Sequence, residues 1–263
     1  MSNIHPTAII EDGAKIGENV TIGPYTTIAS QVSIGDNTII DAHTLIAGKT
    51  TIGKGNHIFS HAAIGSIPQD LKFKGEEVEL IIGDNNKIRE FTLINPGTDG
   101  GGSITKIGND NLLMGYVHLG HDVILGDRCI LANGVNLAGH VELGNNVVIG
   151  GLTPVHQFVH IGDFAMIAGG SALAQDIPPY CLAEGNRATL RGLNLTGLRR
   201  HIDREDINAL KVIYRALFES GEPLQENAIK LLKKSDREST KKLLEFVTTS
   251  KRGIPFTRKN ING

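Results

Sequence analysis

Residues 16–64 read IGENVTIGPYTTIASQVSIGDNTIIDAHTLIAGKTTIGKGNHIFSHAAI, with isoleucine at every sixth position from Ile16 to Ile64. Upstream, Ile10 and Ile4 keep the same phase, and downstream it returns at Ile82, Ile88 and Ile94. After one slip it runs from Ile107 through Leu113, Leu119, Leu125, Leu131, Leu137, Leu143, Ile149, Val155, Ile161 and Ile167 to Leu173. A period of six suits neither an amphipathic helix nor a two-faced strand. It is the mark of a hexapeptide β-helix, in which each hexad gives one short strand and one corner. The aliphatic side chains point inward and stack, and no coil can bury its interior without its neighbours. Glycine follows the aliphatic residue in 12 of the 26 hexads, as in Gly17, Gly23 and Gly35. The expected reason is a tight corner whose backbone conformation glycine reaches without strain.

Two stretches interrupt the ladder. Between Ile64 and Ile82 lie Lys72, Lys74, Glu76, Glu77 and Glu79, a polar loop expected near 69–80. Between Ile94 and Ile107 lie Pro96, Gly97, Gly100, Gly101 and Gly102, a loop expected near 95–106. Insertions of this kind tend to share one functional face of a repeat scaffold. The repeat stops at Pro178-Pro179. Beyond it, Ile207, Leu210, Ile213 and Leu217 follow helical spacing after a candidate cap at Asp203, and Ala228 to Leu232 and Leu243 to Val247 suggest two more helices. The reading is therefore a mainly β chain: a parallel β-helix over 1–185 and a C-terminal α-helical domain over 186–263, which is expected to close the open end of the coil.

The formal charge of −2 leaves no nucleic-acid footprint. No apolar run approaches the ~20 residues of a membrane span. The repeat starts at Ile4, leaving no room for a leader, and a cytoplasmic protein is expected. The two cysteines, Cys129 and Cys181, make no disulfide framework, and Cys129 reads as a small buried hydrophobe.

Four of the ten histidines, His118, His121, His140 and His156, fall within a few hexads. If three hexads make one turn, His121 and His140 stack on neighbouring coils. Two chemistries suit them. A histidine can take a proton from a hydroxyl nucleophile, with Asp122 orienting the His121 ring. Three histidines can also hold zinc with one position open, as hexapeptide-repeat carbonic anhydrases do. Spacing does not choose between them.

The stretch from Asn111 to Phe158, NLLMGYVHLGHDVILGDRCILANGVNLAGHVELGNNVVIGGLTPVHQF, closely resembles the UDP-N-acetylglucosamine O-acyltransferases of lipid A biosynthesis. QDLK at 69–72, IREF at 88–91, GNRA at 185–188 and GLN at 192–194 fall where that family has similar segments. The resemblance implies a left-handed β-helix, a homotrimer with active sites between subunits, and a reaction. That reaction moves a β-hydroxyacyl group from acyl carrier protein to the 3-hydroxyl of UDP-N-acetylglucosamine. It implies no metal, and no cofactor beyond the carrier's phosphopantetheine.

By position, the resemblance makes His121 the general base, Asp122 its support and the Gly139 N–H an oxyanion donor. Asp70, Lys72, His118, His140, His156 and Gln157 match substrate-contacting positions, and Asn194 and Arg200 match nucleotide-holding ones. Gly169 matches the position that gauges acyl length, and its lack of a side chain favours a longer chain. Arg187, Arg191, Arg199 and Arg200 are candidates for a basic carrier-docking patch. Asn95, Thr196 and His201 depart from the histidine, glutamate and arginine many members carry, which leaves a related amino-sugar nucleotide as an alternative substrate. The related N-acyltransferases carry an additional N-terminal uridine-binding domain, for which a repeat beginning at Ile4 leaves no space. An ice-binding β-helix would show a flat threonine array, and within the repeat only Thr26-Thr27 and Thr50-Thr51 occur as pairs.

Overall fold

The structure is a computed structural model that describes residues 2–257. Strands of mostly two residues, Asn3–Ile4, Ile9–Ile10, Lys15–Ile16 and onward, fall into three parallel sheets, and each strand pairs with the third one along. Ile4 stands opposite Ile22, Ile22 opposite Ile40 and Ile10 opposite Ile28, so one coil is three hexads, or eighteen residues. The result is a left-handed three-sided prism. Its sides are here called the first sheet (starting at Asn3–Ile4), the second (Ile9–Ile10) and the third (Lys15–Ile16). Ile22, Ile28, Ile40, Ile46 and their successors to Ile167 are all but fully buried, and these stacked rows form the core.

The corner glycines have another cause than the one expected. Gly17, Gly35, Gly53, Gly83 and Gly108 do not have positive φ. The left-handed conformation falls two residues later, at Asn19, Asn37, Gly55, Asn85 and Asp110, and bulky residues such as Tyr25, Phe91 and Tyr116 adopt it at the equivalent place. The glycines are required by close approach. A Cβ on Gly53 would lie 2.1 Å from Asp84 Oδ1, one on Gly83 2.4 Å from Asn109 Oδ1, and one on Gly108 2.3 Å from Asp127 Oδ1. Those oxygens cap the corner of the preceding coil. Asp84 accepts from the Lys54 N–H, Asn109 from Asp84, Asp127 from Asn109, Asn145 from Asp127 and Asp163 from Asn145, at 2.7–2.8 Å.

Inside the same corner Asn56, Asn86 and Asn111 form a second, buried column. The Oδ1 of each accepts from the backbone N–H of the next residue in the column, and the last donor is the Cys129 N–H. Cys129 is fully buried, and desolvation pushes its thiol up to about 12, so it is an inert member of this column.

Both interruptions end sooner than expected. Glu79–Ile82 and Ile104–Ile107 are four-residue strands in register with each other and with Lys49–Ile52, so the irregular chain ends at 78 and 103. Extra residues leave the coil while its strands stay in phase. At the far end, Cys181–Glu184 continues the first sheet and turns back antiparallel into Thr189–Leu193. Regular helix therefore begins later than residue 186, with α1 (Leu195–Leu198), followed by α2 (Arg204–Phe218), α3 (Leu224–Leu232) and α4 (Glu238–Thr249). Asp203 caps α2 by accepting from the Asp206 N–H at 2.8 Å. The helical part is fastened to the last coils. Ser250 donates to Asp176 at 2.7 Å, Lys242 pairs with Asp163, and the Leu190 N–H donates to the Pro255 carbonyl.

Candidate active site

His121 and Asp122 lie at the corner that joins His118–Leu119 of the second sheet to Ile124–Leu125 of the third. Asp122 has φ +60°, and its side chain is 1% exposed. A buried carboxylate must be hydrogen-bonded, and this one is. The Thr98 N–H donates to Oδ1 at 2.8 Å, the Thr98 hydroxyl donates to Oδ2 at 2.6 Å, and the Asp122 N–H donates to Thr105 Oγ1 at 2.8 Å. The loop after Ile94 thus folds back to clamp the carboxylate. A Cβ on Gly101 would lie 2.0 Å from Asp122 Cγ, so the glycine-rich sequence of this loop serves that approach.

Oδ2 also accepts from His121 Nδ1 at 2.7 Å. This fixes the tautomer, with the proton on Nδ1 and the Nε2 lone pair free to accept. The ring lies over Gly139, where a Cβ would come 2.5 Å from Cε1 and 2.6 Å from Nε2. His140 meets His121 edge to face at 4.9 Å between centroids, and its Nδ1 is 3.8 Å from Asp122 Oδ2. Phe158 stacks on His140 at 4.3 Å between centroids. Desolvation holds the His140 and His118 imidazoles below their usual values, which keeps both neutral. For His140 this outweighs the opposing pull of Asp122, and for His118 that of a hydrogen bond to the Leu93 carbonyl at 3.3 Å. The Gly139 N–H has no acceptor among the described residues, and a Cβ on Gly120 would lie 2.9 Å from that nitrogen.

A groove of about 710 Å³ opens beside this cluster, lined by Asp70, Lys72, Thr98, Asp99, His140 and Phe158. The structure thus brings together His118, His121, Asp122, Gly139, His140, Asp70 and Lys72. Gln157 stands eighteen residues on from Gly139, and His156 lines a hollow of about 520 Å³ with Gln175 and Arg187. Other residues lie elsewhere in a single chain. Gly169 sits at the corner between the first and second sheets, exposed, with the Gly151 carbonyl 3.3 Å from where its Cβ would be. Asn194 is buried at the corner between the third and first sheets, where it donates to the Phe164 carbonyl and caps α1 by accepting from the Gly197 N–H. Arg200 is exposed just after α1.

Among the departures, Asn95 is buried and donates to the Ser66 and Ile67 carbonyls, and Thr196 lies in α1. His201 has its ring 5.8 Å from Phe164. The sequence reading missed Thr98, Thr105, Gly101, Gly120 and Phe158. Phe158 had a usable signal, since it stands eighteen residues after His140; the threonine clamp comes from a loop outside the repeat and had none.

The family described as bacterial transferase hexapeptide (six repeats) matches residues 104–139, and that described as UDP N-acetylglucosamine O-acyltransferase, domain 2, matches residues 176–255. The acyl-[acyl-carrier-protein]–UDP-N-acetylglucosamine O-acyltransferase of a Sulfurovum species is 75% identical over 260 residues, covering 99% of this chain and 100% of its own. The protein of that name from Aliarcobacter butzleri is 68% identical, covering 98% and 100%. The solved structure of UDP-N-acetylglucosamine acyltransferase from Campylobacter jejuni superposes with a TM-score of 0.94 at 47% identity, covering 97% of this chain and 100% of that one. With such identity running end to end, the chain belongs to the UDP-N-acetylglucosamine O-acyltransferase family.

Proposed function

We propose that this enzyme transfers a β-hydroxyacyl group from acyl carrier protein to the 3-hydroxyl of UDP-N-acetylglucosamine, the first step of lipid A biosynthesis. The observation that carries the mechanism is the His121 Nδ1–Asp122 Oδ2 hydrogen bond of 2.7 Å, which leaves Nε2 as the acceptor. The sugar hydroxyl gives its proton to Nε2 as its oxygen bonds to the thioester carbonyl carbon. The oxyanion that forms is held by the Gly139 N–H, a type of contact worth about 2.7–4 kcal/mol in the transition state. The carbon–sulfur bond then breaks, and the imidazolium returns the proton to the departing phosphopantetheine thiolate. Neutral His118 and His140, with Asp70 and Lys72, line the approach and contact the substrate. No metal or further cofactor takes part.

The enzyme works as a homotrimer. His121, Gly169 and Asn194 stand at three different corners of one prism, so a single groove holding all of them needs a neighbouring copy. Two distinct exposed apolar features support this. One is a ladder of stacked rings, Tyr25, His43, His61, Phe91 and Tyr116, at 4.9–5.1 Å. The other is the exposed pair Ile67 and Leu71 on the loop that carries Asp70 and Lys72. Two unlike patches that meet across a rotation close a ring. Arg187, Arg191, Arg199 and Arg200 receive the acidic carrier. No described helix is long and apolar enough to cross a membrane, and the reaction, fed by a carrier protein and a sugar nucleotide, takes place in the cytoplasm.

Mass spectrometry of UDP-N-acetylglucosamine incubated with the protein, chelator and a series of β-hydroxyacyl carrier proteins tests the reading. One added hydroxyacyl mass is expected. An unchanged sugar nucleotide would refute it.

A further inference from the structure

We infer that His121, Asp122 and His140 also form an inhibitory site for a divalent transition-metal ion such as Zn²⁺ or Co²⁺. Each supplies one donor, and among the described residues this is the one group of three such donors lying within 4.8 Å of one another. Asp122 Oδ2 is 2.7 Å from His121 Nδ1 and 3.8 Å from His140 Nδ1. Bonds of about 2.0–2.1 Å in a tetrahedral zinc site separate neighbouring donors by about 3.3 Å, midway between those two distances. Those two pairs need shifts of about half an ångström, and the two imidazole donors, which lie within 4.8 Å of each other, must close by up to about 1.5 Å to seat the ion. Two imidazoles and a carboxylate form a donor set borderline-soft ions accept, and it leaves a position for water. The carboxylate is already fixed by the Thr98 N–H and hydroxyl, and the rings are partly exposed toward the groove, so the ion has a way in.

Inhibition follows from the tautomer. An ion bound to His121 Nδ1 takes the place of the proton there, and the neutral ring then carries its proton on Nε2. Nε2 is the atom that must accept the hydroxyl proton, so the base is lost without displacing the chain. This consequence rests on His121 acting as the general base; ion uptake does not.

The test uses the full chain. Co²⁺ uptake is followed by its visible absorption and Zn²⁺ uptake by calorimetry, and acyl transfer is measured at matched ion concentrations with and without chelator. One ion per chain, the spectrum of a four-coordinate site and a loss of turnover of tenfold or more that chelator reverses are expected. His140→Asn should weaken ion uptake at least tenfold. Asparagine tolerates the φ of +61° at this position, so the variant should keep its fold. His57→Asn and His160→Asn, which remove histidines paired with Asp41 and Glu142 elsewhere on the prism, should leave uptake and inhibition unchanged. Uptake unaltered in His140→Asn, or lost in His57→Asn or His160→Asn, would overturn the site. Full turnover with one ion bound would overturn the inhibition. A wild-type protein inactive even with chelator would remove the proposed reaction while the cobalt spectrum still decided the site.

Discussion

Gly139→Ala isolates the geometry of the base from everything else in the site. The position does not have positive φ, so alanine fits the backbone, and the N–H proposed for the oxyanion is retained. The new methyl carbon would lie 2.5, 2.6 and 3.1 Å from Cε1, Nε2 and Nδ1 of His121. Comfortable carbon contacts are about 3.5–4.0 Å, so the ring must retreat by about 1 Å. That displacement pulls it off the 2.7 Å bond to Asp122 and off line with the hydroxyl. A misplacement of about 1 Å can cost about 100-fold in rate, or about 2.7 kcal/mol of barrier. Because the ring sits at a partly exposed corner outside the aliphatic core, thermal unfolding should stay near wild type. Steady-state kinetics with acyl carrier protein should show the loss in kcat. In a His121→Ala background the same substitution should add little, since the ring it displaces is gone. A folded Gly139→Ala protein with wild-type kcat would refute the stacking argument.

Asp122→Asn should lower kcat by at least 100-fold, because Oδ2 accepts from both Thr98 and His121 and an amide cannot serve both as before; kcat kept within threefold would count against the dyad. Gly169→Met should shift the preferred donor to shorter hydroxyacyl chains, read by competition among carrier proteins, and an unchanged profile would remove Gly169 as the gauge. Asn86→Ala strands the Asn111 N–H and the Gly108 carbonyl and should cost about 2–5 kcal/mol in chemical denaturation. For pH, His118 is held below its usual value near 6.5 by burial, so the folded chain binds a proton less readily than the unfolded one. Its contribution to stability is complete above about pH 6.5 and lost as pH falls through the folded value. The denaturation midpoint should therefore drop from pH 7.5 to pH 5, and less so in His118→Gln.

The prism was legible because its determinant is local and repeated. Any six residues around Ile40 carry the same instruction as those around Ile149, so the eighteen-residue coil needed no long-range information. The stacking of His121 near His140 followed from that arithmetic. The cause of the corner glycines did not, since it depends on the Asp84, Asn109 and Asp127 side chains of the following coil, which composition alone reads only as turn-formers. The clamp on Asp122 was hidden for a related reason: Thr98 reaches the carboxylate from an insertion whose path no period describes. Gly169 and Asn194 were named through family resemblance alone, and their separation from His121 is visible only once each corner has a place in space.

The column Asp84, Asn109, Asp127, Asn145, Asp163 passes one hydrogen bond per coil with oxygens of the same shape, yet only every second member is an acid. With coils about 4.8 Å apart, successive ionised members stand about 9.6 Å apart, close to the Debye length of about 8–10 Å at ordinary salt. An unbroken file of aspartates would accumulate self-repulsion with every coil, like a short polyelectrolyte. Alternation makes the corner electrically dilute, so at ordinary salt this part of the stack carries little charge-imposed limit on its length.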